Sequence, residues 1–478
     1  MPQPWRRSLD RILFETSDWA WLGLALGLRL VFVLKLGGRF HQTDEAGFAG
    51  LAWNLAATGT LGKDGAPWAI PPIPAAFCAL WFRLCGHSLL YPRLAQAFVS
   101  AGTAWVLGRM TASLGASRTA GRSAFILAAV YPFFIYYSGM VLSETLYLAA
   151  VVPGLWALCA SLQERGASWR LPAAGGSALA AAALCRPEAM PIAVLFWLAG
   201  LAAWLLGRWS GRALCAAVLA WALPLTAWCV RNRAAVGAFA LDLHGGITML
   251  HGTLLFDENE VDTGVAMAAV EKMPFYQQSL SLPPAERDRL YLRQSLSFMR
   301  ENPGRVARQW RRKFVNFWRL YPRTDKAYRE DFYSHPGAGL GRAALVAVSL
   351  ACEPALIIGG FWGLWGLRRR WGELYPLGLF LLGTMAIHVV SVSQMRYRLA
   401  VMPILILGAA VAAGHRRFTA LAVASRGQIA PMPCGACLQA LAEFCRPDFV
   451  IVTAAARNPA AMVIHPLKDL LPQAFRLG

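Results

Sequence analysis

The sequence predicts an all-α polytopic membrane protein with a short α/β segment at its C-terminus. Of the 478 residues, 57% are hydrophobic and 15% are charged, whereas about 25% are charged in ordinary soluble domains. Mean hydropathy is +0.43. Several apolar stretches reach the roughly 20 residues that a helix needs to cross a bilayer. These observations exclude a soluble globular protein with polar faces.

Hydropathy predicts about ten transmembrane helices. Their approximate bounds are 19–36, 93–112, 122–139, 142–161, 171–186, 189–206, 212–230, 343–366, 374–393 and 399–413. Residues 70–86 are apolar but short, begin with prolines and contain Arg83. We interpret them as a helix in the membrane interface; the alternative is an additional span.

The distribution of arginines favours the interfacial interpretation. If residues 70–86 do not cross, the short arginine-bearing loops all lie on the side of the N-terminus, as the positive-inside rule requires. Both termini are then cytoplasmic. The first apolar run, after Arg6, Arg7 and Arg11, is too long for a signal-peptide core and predicts an uncleaved first span.

The predicted topology divides the chain into four parts. Residues 1–230 form an N-terminal membrane core whose first external loop is 37–92. An external region covers 231–342, the last three transmembrane helices lie within 343–414, and residues 415–478 form a separate C-terminal segment.

The balance of charged residues indicates partners. The formal net charge is +20, from 46 Lys and Arg against 26 Asp and Glu, which suits anionic lipid head groups or phosphorylated substrates. Nucleic acid is not an expected partner, because the arginines lie in short clusters between apolar segments. The ten cysteines show no disulfide pattern.

An acidic pair directly follows the first span. Asp44 and Glu45 begin a helix-like stretch, and a carboxylate at this surface can take a proton from an attacking hydroxyl. The alternative is that both acids complement the helix dipole. Since adjacent helical residues point about 100° apart, only one can act as the base, and we favour Asp44.

Other ionisable residues collect at span ends on the same external face. Such residues are costly at membrane depth and are therefore candidates for a functional site, and a guanidinium binds phosphate well. The alternatives are a helix cap for the acid and interfacial anchoring for the arginines. The candidates for binding donor phosphate or substrate are Glu144, Arg186, Arg231, Arg396 and Arg398.

The external region contains a basic amphipathic helix. Asn302 and Pro303 predict its start, and aromatic and arginine residues then alternate at helical spacing. Such a helix suits the membrane surface, as an anchor or as a guide for an anionic lipid carrier. Glycines 245, 246 and 252 are predicted to mark turns.

A series of segments in a fixed order resembles a known family. These segments are TDEAGFAGLAWNLAATGTLG, PPIPAAF, GHSLLYPRLAQ, YPFFIYYSGMVLSETLY, LCRPEAMPIAV, WCVRNRAAVGAFAL and SQMRYRLAVMP. Over about residues 10–414 the chain resembles the bacterial polyprenyl-phosphate-dependent glycosyltransferases of the GT-C superfamily, which are related to protein O-mannosyltransferases and the lipid A aminoarabinose transferase.

This resemblance implies an inverting transfer of one sugar from a polyprenyl-phosphate donor to a glycan, lipid or protein acceptor outside the bacterial inner membrane. It implies Asp44 as the base, with Glu144, Arg186 and Arg396 around the donor phosphate. No cofactor is expected for the transfer. One departure is that Ala69-Ile70 precede Pro71, where aminoarabinose-type relatives have a lysine.

The C-terminal segment resembles the C-terminal half of cytidine deaminase. The likeness includes a P-C-x-x-C element, which implies Cys434 and Cys437 as zinc ligands that begin a helix. A zinc deaminase also needs an H-x-E or C-x-E element, and the chain has none. We therefore expect a truncated fragment with a vestigial zinc motif; the alternative is a deaminase completed by a partner chain.

A lipid-linked-sugar flippase or transporter is the main alternative for the membrane part. Such a protein would place charged residues midway along its spans. In this chain Glu144, Arg186 and Arg396 lie at span ends on one side, which favours chemistry at the membrane surface.

Overall fold

The computed structural model describes residues 16–41, 43–63, 66–115, 117–254, 270–320, 339–414, 420–425, 432–433, 435–445, 448–455 and 458–471. The chain divides into two compact units. The larger unit is Asp18–Val411, and the smaller one combines Met1–Ser17 with Ala412–Gly478. Each is described by itself below.

The larger unit is built almost entirely of helices. Its first half contains α1 (Asp18–Leu36), α2 (Thr43–Thr58), α3 (Ile73–Cys85), α4 (Leu90–Leu114), α5 (Arg118–Val130), α6 (Pro132–Ser138), α7 (Glu144–Gln163), α8 (Arg170–Cys185), α9 (Ala189–Leu205) and α10 (Gly211–Val236). Its second half contains α11 (Gly245–Thr253), α12 (Pro274–Ser279), α13 (Pro284–Glu301), α14 (Pro303–Phe317), α15 (Gly339–Gly366), α16 (Trp371–Val390) and all but the last turn of α17 (Met402–Gly414). A two-stranded hairpin of β1 (Gly62–Lys63) and β2 (Ala66–Pro67) follows α2.

Among the described residues, six helices are long and apolar enough to cross a membrane, or seven if one bent pair is a single span. A helical membrane protein is therefore confirmed at this level. Every segment that hydropathy predicted as a span coincides with a helix or with the bent pair. Ile73–Cys85, within the segment assigned to the interface, has 13 residues and so extends about 20 Å, less than the hydrocarbon core.

One predicted span is broken. Residues 122–139 were expected as one helix, but α5 and α6 meet at an angle of 54°. Pro132 has no N–H to donate to Ala128. Arg29, wholly buried in α1, donates instead to the carbonyls of Ala128 (3.2 Å) and Ala129 (2.9 Å). Its guanidinium thus satisfies backbone groups that lipid could not.

Small residues let the last spans pack closely. A Cβ at Gly363 of α15 would lie 1.7 Å from the carbonyl oxygen of Gly408 on α17. The two backbones can approach this closely only because both positions are glycine. The core of the unit is otherwise aliphatic and aromatic, and includes Leu107, Tyr147, Phe196, Phe380 and Leu405.

The region after α10 is helical where it is described. The predicted basic amphipathic helix is confirmed as α14, with Asn302 as its N-cap and Pro303 at its first position. The prediction of turns at glycines 245, 246 and 252 is wrong, because all three lie within α11. A Cβ at Gly246 would lie 2.0 Å from the carbonyl oxygen of Asp288, so glycine serves close packing there.

The smaller unit contains a three-stranded sheet. Its strands are β3 (Ala420–Ser425), β4 (Val450–Ala455) and β5 (Asn458–Pro466), with β3 parallel and β5 antiparallel to β4. Helices α18 (Gly435–Phe444) and α19 (Leu467–Leu470) complete it. A small core of its own includes Leu438, Phe449 and Ile451, so the expected short α/β segment has helix and sheet.

Candidate active site

Asp44 and Arg396 form an ion pair between two distant parts of the larger unit. Asp44 lies in the first turn of α2, and Arg396 lies in the 3-10 turn Met395–Val401 that precedes α17. Nη1 of Arg396 donates to Oδ2 of Asp44 at 2.8 Å. The Asp44 side chain is 42% exposed and the Arg396 side chain 16%. A half-open carboxylate held by a guanidinium is thus accessible to a ligand from outside.

Arg186 joins two further carboxylates. It ends α8 with an extended backbone, as the following proline requires. Its Nη1 donates to Oε1 of Glu144 at 3.0 Å, and its Nε donates to Oε1 of Glu188 at 2.8 Å. Burial disfavours the Glu188 carboxylate, but Arg186 outweighs burial and lowers its pKa to about 2.

Tyr397 connects the two ion-pair groups. Its ring centroid lies 5.1 Å from the guanidinium carbon of Arg396 and 5.4 Å from that of Arg186. His388 near the end of α16 stacks on the same ring, with centroids 4.1 Å apart and planes 3° apart. Cations over a tyrosine face are attracted by its quadrupole. Tyr397 therefore fixes the spacing of both guanidiniums and of the imidazole.

These side chains enclose a small cavity. Its volume is about 10 Å³, about what one water molecule needs. A sugar or a phosphate enters only if the ion pairs separate. A phosphate can then take the place of a carboxylate on either guanidinium, since both anions accept the same fork of N–H donors. The cavity is lined by Glu144, Tyr147, Leu148, Arg186, Glu188, Arg396, Tyr397, Leu399 and Ala400.

Glu45 has different surroundings from Asp44. It is wholly buried, and its oxygens accept hydrogen bonds from Arg93 Nη2 at 2.8 Å, the Val141 amide at 2.8 Å and the His41 amide at 2.7 Å. These bonds tie the start of α2 to the segment that leads into α7. Glu45 thereby positions its neighbour, and Asp44 is the exposed carboxylate of the two.

These linked residues are called the cluster below: Asp44, Glu144, Arg186, Glu188, His388, Arg396 and Tyr397. Two arginines that were predicted to bind phosphate have other partners. Arg231 donates to the carbonyl oxygen of Trp68 at 3.0 Å and lies over the Trp228 ring, so it holds the segment between α2 and α3. Arg398 is 2% exposed and pairs with Glu353 at 2.7 Å. It also donates to the carbonyl oxygen of Arg319 at 2.6 Å, just beyond α14. The structure therefore gives both side chains local binding partners other than the cluster.

The structure describes only one of the two predicted zinc ligands, and that one through its backbone. Cys434 lies outside the described residues, and Cys437 is described through its backbone in α18, which begins at Gly435. The helix start that the resemblance implies is present. Within the described residues, no group of three or more His, Cys, Asp or Glu side chains is arranged to hold a metal ion.

Four residues of the cluster and its support were not among the predicted site residues. Glu188 and Tyr397 adjoin predicted residues, and their position at span ends was a usable signal. His388 is a lone histidine inside an apolar span, which is itself a signal of function. Arg93 begins a span in the same way as the arginines that were chosen.

Comparison with known proteins adds no family assignment. No protein-family model matches the chain, and no curated protein matches it. The geometry of the cluster therefore carries the functional proposal.

Proposed function

We propose that the chain is an integral membrane glycosyltransferase of the bacterial inner membrane, which moves a sugar from a polyprenyl-phosphate donor to an acceptor on the periplasmic face. One observation carries the proposal. Asp44, Glu144, Arg186 and Arg396 are far apart in sequence but meet in one cluster, joined by contacts of 2.8–3.0 Å and by the shared Tyr397 ring.

The roles follow from exposure and charge. Asp44, as the exposed carboxylate, takes the proton from the acceptor hydroxyl as its oxygen attacks the anomeric carbon. The bond from that carbon to the phosphate oxygen breaks, and the configuration at the anomeric carbon is inverted. Negative charge grows on the leaving polyprenyl phosphate, where Arg186 and Arg396 stabilise it. Glu144 holds Arg186 in place until the donor binds.

For this function we infer ten spans with cytoplasmic termini and residues 231–342 outside. Helices α8 and α9 have 16 and 17 residues and extend about 24–26 Å, within reach of a slightly thinned bilayer. In that topology α1, α8 and α16 end, and α7, α9 and α17 begin, on the external side. All parts of the cluster then belong to one membrane face.

The break between α5 and α6 is an observation that favours a flippase or transporter, since transporters bind substrates at the ends of broken helices. In this chain, however, Arg29 occupies the carbonyls at the break. Those carbonyls already have a protein partner, so the break lacks the open helix end that such a substrate site uses. Chemistry at the external cluster remains the better-supported function.

The test is donor turnover by the purified protein in nanodiscs. Radiolabelled polyprenyl-phosphate sugars and a membrane extract as acceptor are supplied, and release of free polyprenyl phosphate is followed. The wild type is expected to release it, and Asp44→Asn is expected to lose at least 100-fold in rate, since a general base contributes about 10²–10⁴. The amide keeps the shape of the side chain and removes its basicity.

Asp18→Asn is the matched control. Asp18 is also an exposed acid at the start of a helix, and its carboxylate lies 3.8 Å from Arg122. This variant is expected to retain wild-type release. Full activity of Asp44→Asn would remove Asp44 from the mechanism. No release from any donor by well-folded wild-type protein would count against the transferase itself.

A further inference from the structure

The cluster carries an unbalanced charge. Three carboxylates, of Asp44, Glu144 and Glu188, face two guanidiniums, of Arg186 and Arg396. One net negative charge is left in a largely buried site. A phosphodiester that enters brings a further negative charge, which costs free energy at low dielectric. Binding of such a donor therefore calls for one more positive charge in the cluster.

His388 is placed to supply that charge. It is 4% exposed, and its Nε2 lies 3.5 Å from Oε1 of Glu188 and makes no hydrogen bond with a described atom. Its Nδ1 lies 3.1 Å from the carbonyl oxygen of Val392. Both facing atoms are acceptors. A neutral imidazole has one N–H and can satisfy one of them, whereas the imidazolium donates to both.

Several elements contribute the other charged and titratable groups near His388. Glu188, the N-cap of α9, pairs with Arg186 at the end of α8, and α7 contributes Glu144 and Tyr147. The 3-10 turn contributes Tyr397 and Arg398, which pairs with Glu353 of α15. Helix α14 contributes Lys313, whose Nζ donates to the carbonyl oxygen of Val390 at 3.1 Å. Lys313 is the other titratable cation close to His388 among the described residues, so any test must separate the two.

We propose that His388 is a positioning residue that takes up one proton when the anionic donor binds. The protonated ring draws Glu188 toward Nε2 and loosens its hold on Arg186, and Arg186 then turns its freed N–H groups to the phosphate. The inference rests on the proposed function, because it names a further residue of the same donor site.

The test measures binding without turnover. The probe is farnesyl methyl phosphate, a phosphodiester whose single negative charge does not change between about pH 6 and pH 8.5. Its Kd for the protein in nanodiscs is measured by calorimetry across that range, in buffers of different ionisation enthalpy. The wild type is expected to bind more weakly as pH rises, by up to about tenfold per pH unit when one proton is linked to binding, and to take up as much as one proton per probe molecule.

Three variants separate the contributions of His388, Glu188 and Lys313 to the pH dependence of probe binding. His388→Gln is expected to bind with a Kd that does not change with pH. Glu188→Gln removes the excess negative charge directly, so it is expected to bind more tightly than the wild type at about pH 8 and without proton uptake. Lys313→Met is expected to keep the wild-type dependence on pH.

Each contrary result has a defined meaning. An unchanged pH slope in His388→Gln, or the same loss of affinity at every pH, would overturn the role of His388. Loss of the slope in Lys313→Met would assign the proton to Lys313. Sugar transfer with pH-independent probe binding would refute this inference alone. Binding linked to a proton without any transfer would refute the proposed function alone.

Discussion

Lys313 makes the stability of the folded protein depend on pH. Its side chain is fully buried in α14, and burial lowers its pKa to about 7 from 10.5. Between these values the unfolded chain holds a proton that the folded chain lacks, so the folded state gains stability as pH rises. Below about pH 7 both states are protonated and this contribution is flat.

The measurement is thermal unfolding of the wild type and Lys313→Met in nanodiscs. The free energy of unfolding of the wild type, relative to that of Lys313→Met, is expected to increase by up to about 1.4 kcal/mol per pH unit between about pH 7 and pH 10. Lys272→Met, at an exposed position, serves as the control and is expected to follow the wild type. A constant difference between the wild type and Lys313→Met at every pH would contradict the prediction.

At the same scale, the sequence predicted residue types better than side-chain directions. Asp44, Glu144, Arg186 and Arg396 were chosen for their place at span ends, and the structure brings them together. Arg398 fulfilled the same criterion, but its side chain turns to Glu353. Hydropathy gives the depth of a residue and says nothing about its direction around the helix, because that depends on neighbours that are distant in sequence.

Helix α11 illustrates the importance of glycine at the level of elements. A Cβ at Gly252 would lie 2.1 Å from the carbonyl oxygen of Ser391, and Gln309 of α14 donates to the next carbonyl, of Thr253, at 3.0 Å. Gly252→Ala is therefore expected to push α11 away from the segment that leads to Arg396. We expect a loss of about 1–3 kcal/mol in stability and reduced sugar transfer.

Gly245→Ala is the matched control, since a Cβ at Gly245 has no heavy atom within 4 Å. The same substitution there is expected to leave the melting temperature unchanged or to raise it, because alanine is the better helix former. Both variants are compared by thermal unfolding and by release of polyprenyl phosphate. Equal melting temperatures would show that the contact of Gly252 with Ser391 relaxes without cost.

The elements themselves were predictable where long apolar runs define them. Their internal breaks and short connections were not. Residues 122–139 are mostly apolar, yet the helix breaks before Pro132, which has no N–H to donate. The break is tolerated because Arg29 of another helix donates hydrogen bonds to the carbonyls that are left without a helical partner. In the same way, glycine in α11 resembles a turn signal unless the close backbone partner, Ser391, is known. Such partners follow from tertiary packing.

For the whole molecule, the two compact units predict separable behaviour. The membrane unit, Asp18–Val411, contains every residue of the cluster. The C-terminal segment has a core of its own, with Leu438, Ala442 and Ile451, and its sequence lacks the third zinc ligand and the glutamate that deamination requires. We therefore expect sugar transfer to depend on the membrane unit alone.

A chain that ends after Gly414, at the last residue of α17, tests this expectation. It is expected to insert in the membrane and to release polyprenyl phosphate within about twofold of the full-length rate, since no group of the cluster is removed. The truncated Asp44→Asn protein is the negative control. Loss of transfer by a truncated protein that still folds would show that the C-terminal segment supports the reaction.

The same segment is expected to have no deaminase activity of its own. The full-length protein is expected to turn over no cytidine and to contain less than one zinc ion per chain. Turnover of cytidine together with one zinc ion per chain would establish a second activity in that segment.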